Sequence, residues 1–358
     1  MDSRVGSEAV EGTMDAAGDA RLVSELQERF PLAVAPFRIL SERLGGSEDE
    51  VLARVVALRD AGILRHVTPI FEAAALGFTS CLVAMRIPVG RLDAAVAAIN
   101  AHPGVTHNYR REHAFNLWFT IAVPPDTDLQ AHIARLHEVA GSLSTRPLPN
   151  VRLFKIGVSL DMSGSRPLNH RDAPKSVRPH DREVAPLTPL DIDLIRAVQG
   201  DLPLTARPFR DAALALGISE DAIVRELELL RNRGVLRRVA GILRHRAAGF
   251  SANGMAVWDV PDERVGEVGE AFAAYSAISH CYQRPRYDDW PFSIFTMIHA
   301  RSKEECDAFV DELARTIGLK KFAVLYSTME YKKVRPVYFS PDVAAWEREN
   351  GIPYEPAG

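Results

Sequence analysis

The chain has 358 residues, 47% hydrophobic and 25% charged, with a formal net charge of −4. That length calls for two or more units with their own cores. A charge so close to zero sets up no global field toward nucleic acid or an anionic membrane, so any basic site must be local. Cys81, Cys281 and Cys306 are far apart and form neither a CxxC pair nor a metal-ligand spacing, which fits a reducing compartment.

Residues 1–18 carry acids and no apolar segment, so they read as a loose tail and not as a secretory signal. Nowhere does an apolar run approach the roughly 18 residues that cross a bilayer, and a cytoplasmic protein is expected. From Pro31 the chain reads "PLAVAPFRILSERLGGSEDEVLARVVALRDAGILRHVTPIFEAAALGF". From Pro203 it reads "PLTARPFRDAALALGISEDAIVRELELLRNRGVLRRVAGILRHRAAGF", which aligns without a gap. Self-similarity of this kind marks a tandem duplication.

Each copy opens with helices. Ser47 followed by Glu50 is a capping box; Val51, Val55, Leu58 and Ile63 follow at helical spacing, and Gly62 stops the helix. The second copy repeats this with Ser219, Ile223, Leu227, Leu230 and Gly234. The preceding stretches "ARLVSELQERF" and "DIDLIRAVQGD" complete a helix-turn-helix pattern in each.

The periodicity then changes to β, α, β, β, α, β. In the first copy strands are expected near Ser80–Ile87, Val105–Glu112, Ala114–Val123 and Val151–Ser159, with helices near Arg91–Asn100 and Leu129–Val139. In the second, strands fall near Gly254–Val260, Ala277–Arg284, Pro291–His299 and Ala323–Lys332. With a shift of one residue, "GVTHNYRRE" aligns with "AISHCYQRP" and "NLWFTIAV" with "FSIFTMIH".

The fold class expected is α+β: a tandem duplication in which each half is a winged helix-turn-helix followed by a ferredoxin-like βαββαβ domain. The boundaries are a tail at 1–18, helix-turn-helix domains at 19–76 and 189–248, and ferredoxin-like domains at 77–161 and 249–340. The charged, Pro-rich stretch 162–188 is a linker, too poor in apolar surface to offset its ordering entropy, and 341–358 is a C-terminal tail.

A helix-turn-helix followed by "LGF" and a ferredoxin-like unit resembles the Lrp/AsnC family of amino-acid-responsive transcription regulators. The helix Ser47–Asp60 nevertheless carries Glu48, Asp49, Glu50 and Asp60 against Arg54 and Arg59. Its counterpart sets Glu220, Asp221, Glu226 and Glu228 against Arg225, Arg231 and Arg233. Such faces would repel phosphates, whereas DNA reading requires a basic helix in the major groove.

A closer resemblance lies in "HNYRREHAFNLWFT", "FKIGVSLDM", "GILRHRAAGF", "SHCYQRP", "DWPFSIFTMIH" and "YSTMEYKKVRPVYF". Together these resemble the siroheme decarboxylases, with the two subunit types of that family fused in one chain. The resemblance implies removal of CO2 from the C12 and C18 acetates of siroheme, giving didecarboxysiroheme in heme d1 biosynthesis. It implies no cofactor, because the iron arrives with the substrate, and a tetrapyrrole as partner, with no nucleic acid and no membrane. The fused halves would form a pseudo-dimer, leaving further homodimerisation open. A heme- or amino-acid-responsive regulator and a non-catalytic tetrapyrrole carrier are the alternatives.

Decarboxylation of a flat polyanion needs an apolar slot, cations for carboxylates and a proton donor. Arg111 aligns with Arg284 and Tyr109 with Tyr282, and alternation puts Val105, His107, Tyr109 and Arg111 on one side of their strand. Substrate contacts are expected from Tyr109, Arg110, Arg111, Arg244, Arg246, Tyr282, Arg284 and Arg286. Surface arginines paired with neighbouring acids are the plain alternative. His113 aligns with Arg286 and His245 with Ala73, so neither is needed by the shared fold.

Histidine titrates near neutrality, and His113 and His245 are the candidate proton donors, with iron ligation or propionate binding also open. His107 and His280, common to both halves, suit structural hydrogen bonds. Lys332, Lys333 and Arg335 are either carboxylate contacts or guards of an edge strand. Phe115, Leu117, Phe119 and Ile121 are expected to pack together on the helices, with the basic cluster at the mouth of this strand, where a flat anionic ligand would lie across the sheet edge.

Overall fold

The structure, a computed structural model, describes residues 16–156, 167–171, 185–243 and 252–352. The first half contributes α1 (Ala16–Glu28), α2 (Pro36–Leu44), α3 (Glu48–Asp60), β1 (Leu64–Phe71), β2 (Thr79–Arg86) and α4 (Leu92–Ala101). It continues with β3 (Val105–Arg111), β4 (Leu117–Val123), α5 (Leu129–Ala140), β5 (Ser144–Pro149) and β6 (Arg152–Ile156). The second half contributes α6 (Pro189–Val198), α7 (Arg210–Leu216), α8 (Glu220–Asn232), β7 (Leu236–Leu243) and β8 (Ala252–Trp258). After these come α9 (Val265–Ala273), β9 (Ile278–Gln283), β10 (Ile294–Ala300), α10 (Lys303–Ile317), β11 (Phe322–Lys333) and α11 (Asp342–Asn350).

These elements fall into two compact units. The first collects α1–α3 with β1 and α6–α8 with β7. The Ser47 hydroxyl accepts from the Glu50 N–H at 3.3 Å while the Ser47 N–H donates to the Glu50 carboxylate at 2.7 Å, so the expected capping box is formed. Val51, Val55 and Leu58, like Ile223, Leu227 and Leu230, are buried. β1 pairs with β7 in one antiparallel ribbon, so the two halves share a single wing. Arg54 is ion-paired with Asp19 at 3.0 Å, Arg231 with Glu228 at 2.9 Å and Arg233 with Asp191 at 2.9 Å.

The second unit holds one nine-stranded sheet in the order β5-β2-β4-β3-β11-β8-β10-β9-β6. Within it each half keeps a ferredoxin-like order, β5-β2-β4-β3 and β11-β8-β10-β9. The last strand of the first half is therefore Ser144–Pro149, where sequence periodicity pointed to Val151–Ser159. After a break at Pro149 that segment starts β6, which pairs with β9 of the second half. β11 does the reciprocal job in one long strand: its first residues pair with β8 and its later ones with β3.

Each half thus covers the other's open edge, where unpaired N–H and C=O groups would face water. The exchange extends into the cores. Phe154 of β6 packs in the second half's helix-covered core, against Gly269, where a Cβ would come within 2.3 Å of the ring. Tyr331 of β11 packs on the equivalent core of the first half.

Several expectations need correction. The sheet pairs Tyr109 with Trp118 and Tyr282 with Phe295, so Trp118 and Phe295 are equivalent, one residue away from the alignment on the shared Phe-Thr dipeptide. Phe119 belongs to the core under the helices and Phe295 to the core between the sheet faces, because a slip of one residue reverses every side chain. A register shift between Val105 and His107 likewise sends Val105 to the helix side, away from His107, Tyr109 and Arg111. Phe115 precedes β4 and joins the inter-sheet core instead of packing with Leu117, Phe119 and Ile121. The expected tail 341–358 contains α11, whose Val343, Trp346 and Glu347 are buried. Within the expected linker, Arg171 lies 4.8 Å over the Tyr275 ring and donates to its hydroxyl at 3.1 Å, so residues 167–171 are docked. Among the described residues no helix is long and apolar enough to cross a membrane.

Candidate active site

The covered edges create the site. Tyr109 lies opposite Trp118 and Arg110 opposite Leu117, and those partners face the inter-sheet core and the helix-side core respectively. Tyr109 and Arg111 therefore face the interior between the sheet faces. Arg110 stands on the other alternation, exposed, and is not gathered with them. Nor is an edge of β3 left free for a flat ligand to lie across, since β11 covers it.

Arg111 is 5% exposed. Its Nη1 donates to the Leu325 carbonyl of β11, and its guanidinium lies 5.9 Å from the ring centres of both Tyr109 and Trp118. Arg284 repeats the arrangement: Nη1 donates to the Leu148 carbonyl of β5, and the group lies 4.9 Å over Tyr282 and 5.5 Å over Phe295. Each half's arginine is thus bonded to the fourth strand of the other half. Both Nε atoms are buried without a hydrogen-bond partner among the described residues. Burial pushes Arg111 down to about 10 and lowers Arg284 as well, because no carboxylate among the described residues compensates the desolvated charge. A cation kept in such a place is expensive until an anion arrives. Burial also pushes the Tyr109 phenol up to about 12, leaving it a neutral donor.

His113 sits in the β3–β4 turn. The Phe115 N–H donates to its Nδ1 at 3.0 Å, so the proton of the neutral ring is assigned to Nε2. Trp290 meets the imidazole edge-on, with ring centres 5.4 Å apart and planes at 84°, and Phe115 lies nearly parallel to it at 6.2 Å. Burial lowers the His113 pKa.

Trp290 comes from the β9–β10 connection. Tyr109 to Trp118 spans nine positions and Tyr282 to Phe295 thirteen, so this loop is four residues longer than its counterpart. Its shape is held by mutual 2.8 Å backbone bonds between Tyr287 and Trp290, by the Tyr287 hydroxyl on the Pro147 carbonyl, and by a fork from Arg146 to Asp289 at 2.8 and 2.9 Å. The Trp290 ring lies 5.3 Å from Trp118 and 6.1 Å from Phe295, and its N–H has no acceptor among the described residues.

The extra loop also removes Arg286 from the site. Although it is aligned with His113 by sequence, its guanidinium pairs with Asp259 at 3.2 Å and Asp262 at 3.5 Å and donates to the Ser293 hydroxyl. Arg244, His245 and Arg246 lie outside the described residues. His107 bonds the Thr106 hydroxyl at 3.0 Å and His280 that of Ser279 at 2.8 Å, hydrogen bonds of the structural kind expected for this pair. Burial, then Arg284, pushes His280 down to about 4. Lys332 donates to the carbonyls of Asn100 and His102 at the end of α4.

One buried polar chain has no sequence signal, because its members are far apart in the chain. The Gly104 N–H donates to His102 Nδ1, His102 Nε2 meets His132 Nδ1 at 2.8 Å, and His132 Nε2 meets the Glu347 carboxylate at 2.9 Å. The backbone donor at one end and the carboxylate at the other orient every proton in between. It lies on the helix side, under Trp346, away from Arg111 and His113. Among the described residues no three metal-ligating side chains converge.

A helix-turn-helix before each of two ferredoxin-like sheet units, with an aromatic interior holding two buried arginines, is the architecture of the Lrp/AsnC class. The AsnC-like ligand binding domain family matches residues 75–155 and 247–332, and the siroheme decarboxylase NirDL-like HTH domain matches 19–65 and 191–237. The siroheme decarboxylase of Hydrogenobacter thermophilus is 37% identical over 339 residues, 92% of this chain and 97% of that one. The siroheme decarboxylase beta subunit of Methanosarcina barkeri, 41% identical, covers 40% of this chain with 94% of its own length, as a single half would. A crystal structure of the siroheme decarboxylase NirDL in complex with an iron-uroporphyrin III analogue matches with a TM-score of 0.75 and 32% identity, over 93% of this chain and 98% of that one. The chain belongs to the siroheme decarboxylase family, and it is an enzyme of the carboxy-lyase class.

Proposed function

We propose that this chain decarboxylates siroheme at its C12 and C18 acetates, giving 12,18-didecarboxysiroheme and two CO2 on the way to heme d1. The observation that carries this reading is the pair of uncompensated guanidiniums, Arg111 and Arg284, facing one aromatic interior beside His113. In each step the bond between the acetate CH2 and its carboxylate breaks, CO2 leaves, and the electron pair stays on the CH2 carbon next to the macrocycle. One proton then converts that carbon to a methyl group. Nothing is oxidised or reduced, so the reaction requires no cofactor, and the iron belongs to the substrate.

Arg111 and Arg284 neutralise rim carboxylates, each through an Nε–H still available after its bond to the opposite half. His113 presents Nε2–H, which suits a donor to a carboxylate better than an iron ligand. To act as a general acid it must take a second proton at Nδ1, against the Phe115 N–H, and the carboxylates of the bound tetrapyrrole favour that charge. No nucleic-acid partner is proposed, since the first turn of α3 carries Glu48, Asp49 and Glu50 and its Arg54 is paired.

Anaerobic incubation with siroheme, followed by mass spectrometry, should show products lighter by one and then two CO2. His113→Ala should slow turnover by about 10²–10⁴-fold, and Arg286→Ala should leave it within about threefold. Siroheme recovered intact from the parent chain refutes the assignment.

A further inference from the structure

We propose that Trp290 is a positioning and binding residue of this reaction: its indole wall fixes the plane of His113 and keeps water off it, while its N–H receives a rim carboxylate of the tetrapyrrole. The inference deepens the decarboxylase reading and rests on it.

The loop carrying Trp290 is four residues longer than its counterpart in the first half. Its turn is nonetheless pinned at three points, the Tyr287–Trp290 bridge, the Tyr287 hydroxyl on Pro147 and the Arg146–Asp289 fork. The outcome of that pinning is a tryptophan 1% exposed, set perpendicular to the imidazole and wedged between Trp118 and Phe295. A tryptophan placed only to fill the core would find an acceptor for its N–H, as Trp118 does on the Phe115 carbonyl and Trp258 on Thr296. That of Trp290 has none among the described residues. Two buried guanidinium Nε–H groups around the same interior share this condition. Three buried donors on one aromatic interior, without acceptors among the described residues, are groups that an anion with several carboxylates would satisfy.

The wall also governs His113. Burial is what lowers the pKa of its imidazole, and the edge-on indole is part of that burial. Its acidity is therefore set by exclusion of water, which the indole provides.

The test separates wall from donor. Trp290→Phe keeps the ring and loses the N–H; tetrapyrrole affinity should fall roughly ten- to hundredfold, the range for a hydrogen bond to a charged group, with kcat within about threefold. Trp290→Ala loses both; kcat should fall at least about tenfold, and the His113 limb of the kcat–pH profile should move to higher pH as water reaches the ring. Should Trp290→Ala fail to fold, Trp290→Leu, which keeps volume without the flat wall, takes its place.

Unchanged affinity in Trp290→Phe overturns the donor role, and an unchanged pH profile in the small variant overturns the wall. Titration of His113 by ¹⁵N-histidine NMR without substrate reads the wall independently. Failure of the parent chain to consume siroheme would therefore count against the decarboxylase reading alone.

Discussion

The two sheet domains are copies that kept one feature and diverged in two. Both hold an arginine that reaches the other half's fourth strand, Arg111 on Leu325 and Arg284 on Leu148. Only the first half has its helices roofed by the chain's last helix, over the His102–His132–Glu347 chain. Only the second has the long hairpin that sends Trp290 into the shared interior. The mutual covering of open sheet edges has stayed symmetric; the roof and the hairpin have not. The surroundings of the two arginines differ accordingly: Trp118 lies by Arg111 where Phe295 lies by Arg284, and the Arg284 charge also reaches His280.

The roof provides the largest contrast between the halves. Trp346 lies 4.3 Å from the His102 ring and 5.1 Å from that of His132, and Glu347 is the acceptor for His132. Ending the chain before Asp342 removes a buried tryptophan, worth about 3–5 kcal/mol, and leaves the His132 N–H buried without a partner, about 1–3 kcal/mol more. Hydrogen exchange of the truncated chain should show α4 and α5 opening far more readily, while α9 and α10 keep their protection. Equal loosening of both pairs would mean that the roof is not specific to the first half.

Acid should separate the halves by a smaller amount. Burial first, then His132 and Lys332, pushes His102 down to about 3, and burial and Arg284 push His280 down to about 4. The folded chain refuses protons that these imidazoles would accept when unfolded, near pH 6.5. Stability is therefore full above that pH and declines as pH falls toward the folded values, by at most about 1.4 kcal/mol per pH unit for each group. Urea unfolding at pH 7.5 and pH 5 should show a loss that His102→Gln and His280→Gln each reduce by about 2 kcal/mol. An unchanged loss in His102→Gln would mean that its ring is protonated in the fold.

Much of this architecture is legible in the sequence, because duplication, helix caps and strand alternation are local signals. Ser47 with Glu50, the repeated Tyr-x-Arg pair and the recurrence of His107 as His280 could all be read that way. The sheet exchange could not: whether residues after Pro149 extend a strand or cross to another half depends on Phe154 finding Gly269, a contact between distant segments. The Phe-Thr dipeptide misled the register because an insertion of four residues upstream leaves identity high while moving every side chain by one. α11 has few apolar residues and is stable by burying Trp346, so its periodicity is weak. Trp290 lay in a quoted motif, yet its position beside His113 arises from contacts between distant segments that hold the long hairpin.

The smallest effect tests how the long hairpin is held. The Arg146–Asp289 fork has good bidentate geometry, and Arg146 also lies 5.1 Å over the Tyr287 ring, but Asp289 is exposed. Exposed pairs of this sort contribute about 1 kcal/mol or less, and Asp289→Asn keeps the shape while removing the charge. The melting temperature should drop by no more than about 4 °C, and turnover should stay within about threefold, because the Tyr287–Trp290 bridge and the Tyr287 hydroxyl still hold the turn. High salt should reproduce the small shift in the parent chain and add nothing in the variant. A collapse of turnover in Asp289→Asn, with the fold intact, would instead make the fork the element that keeps Trp290 against His113, and would move the origin of the asymmetry from the inserted residues to a single exposed ion pair.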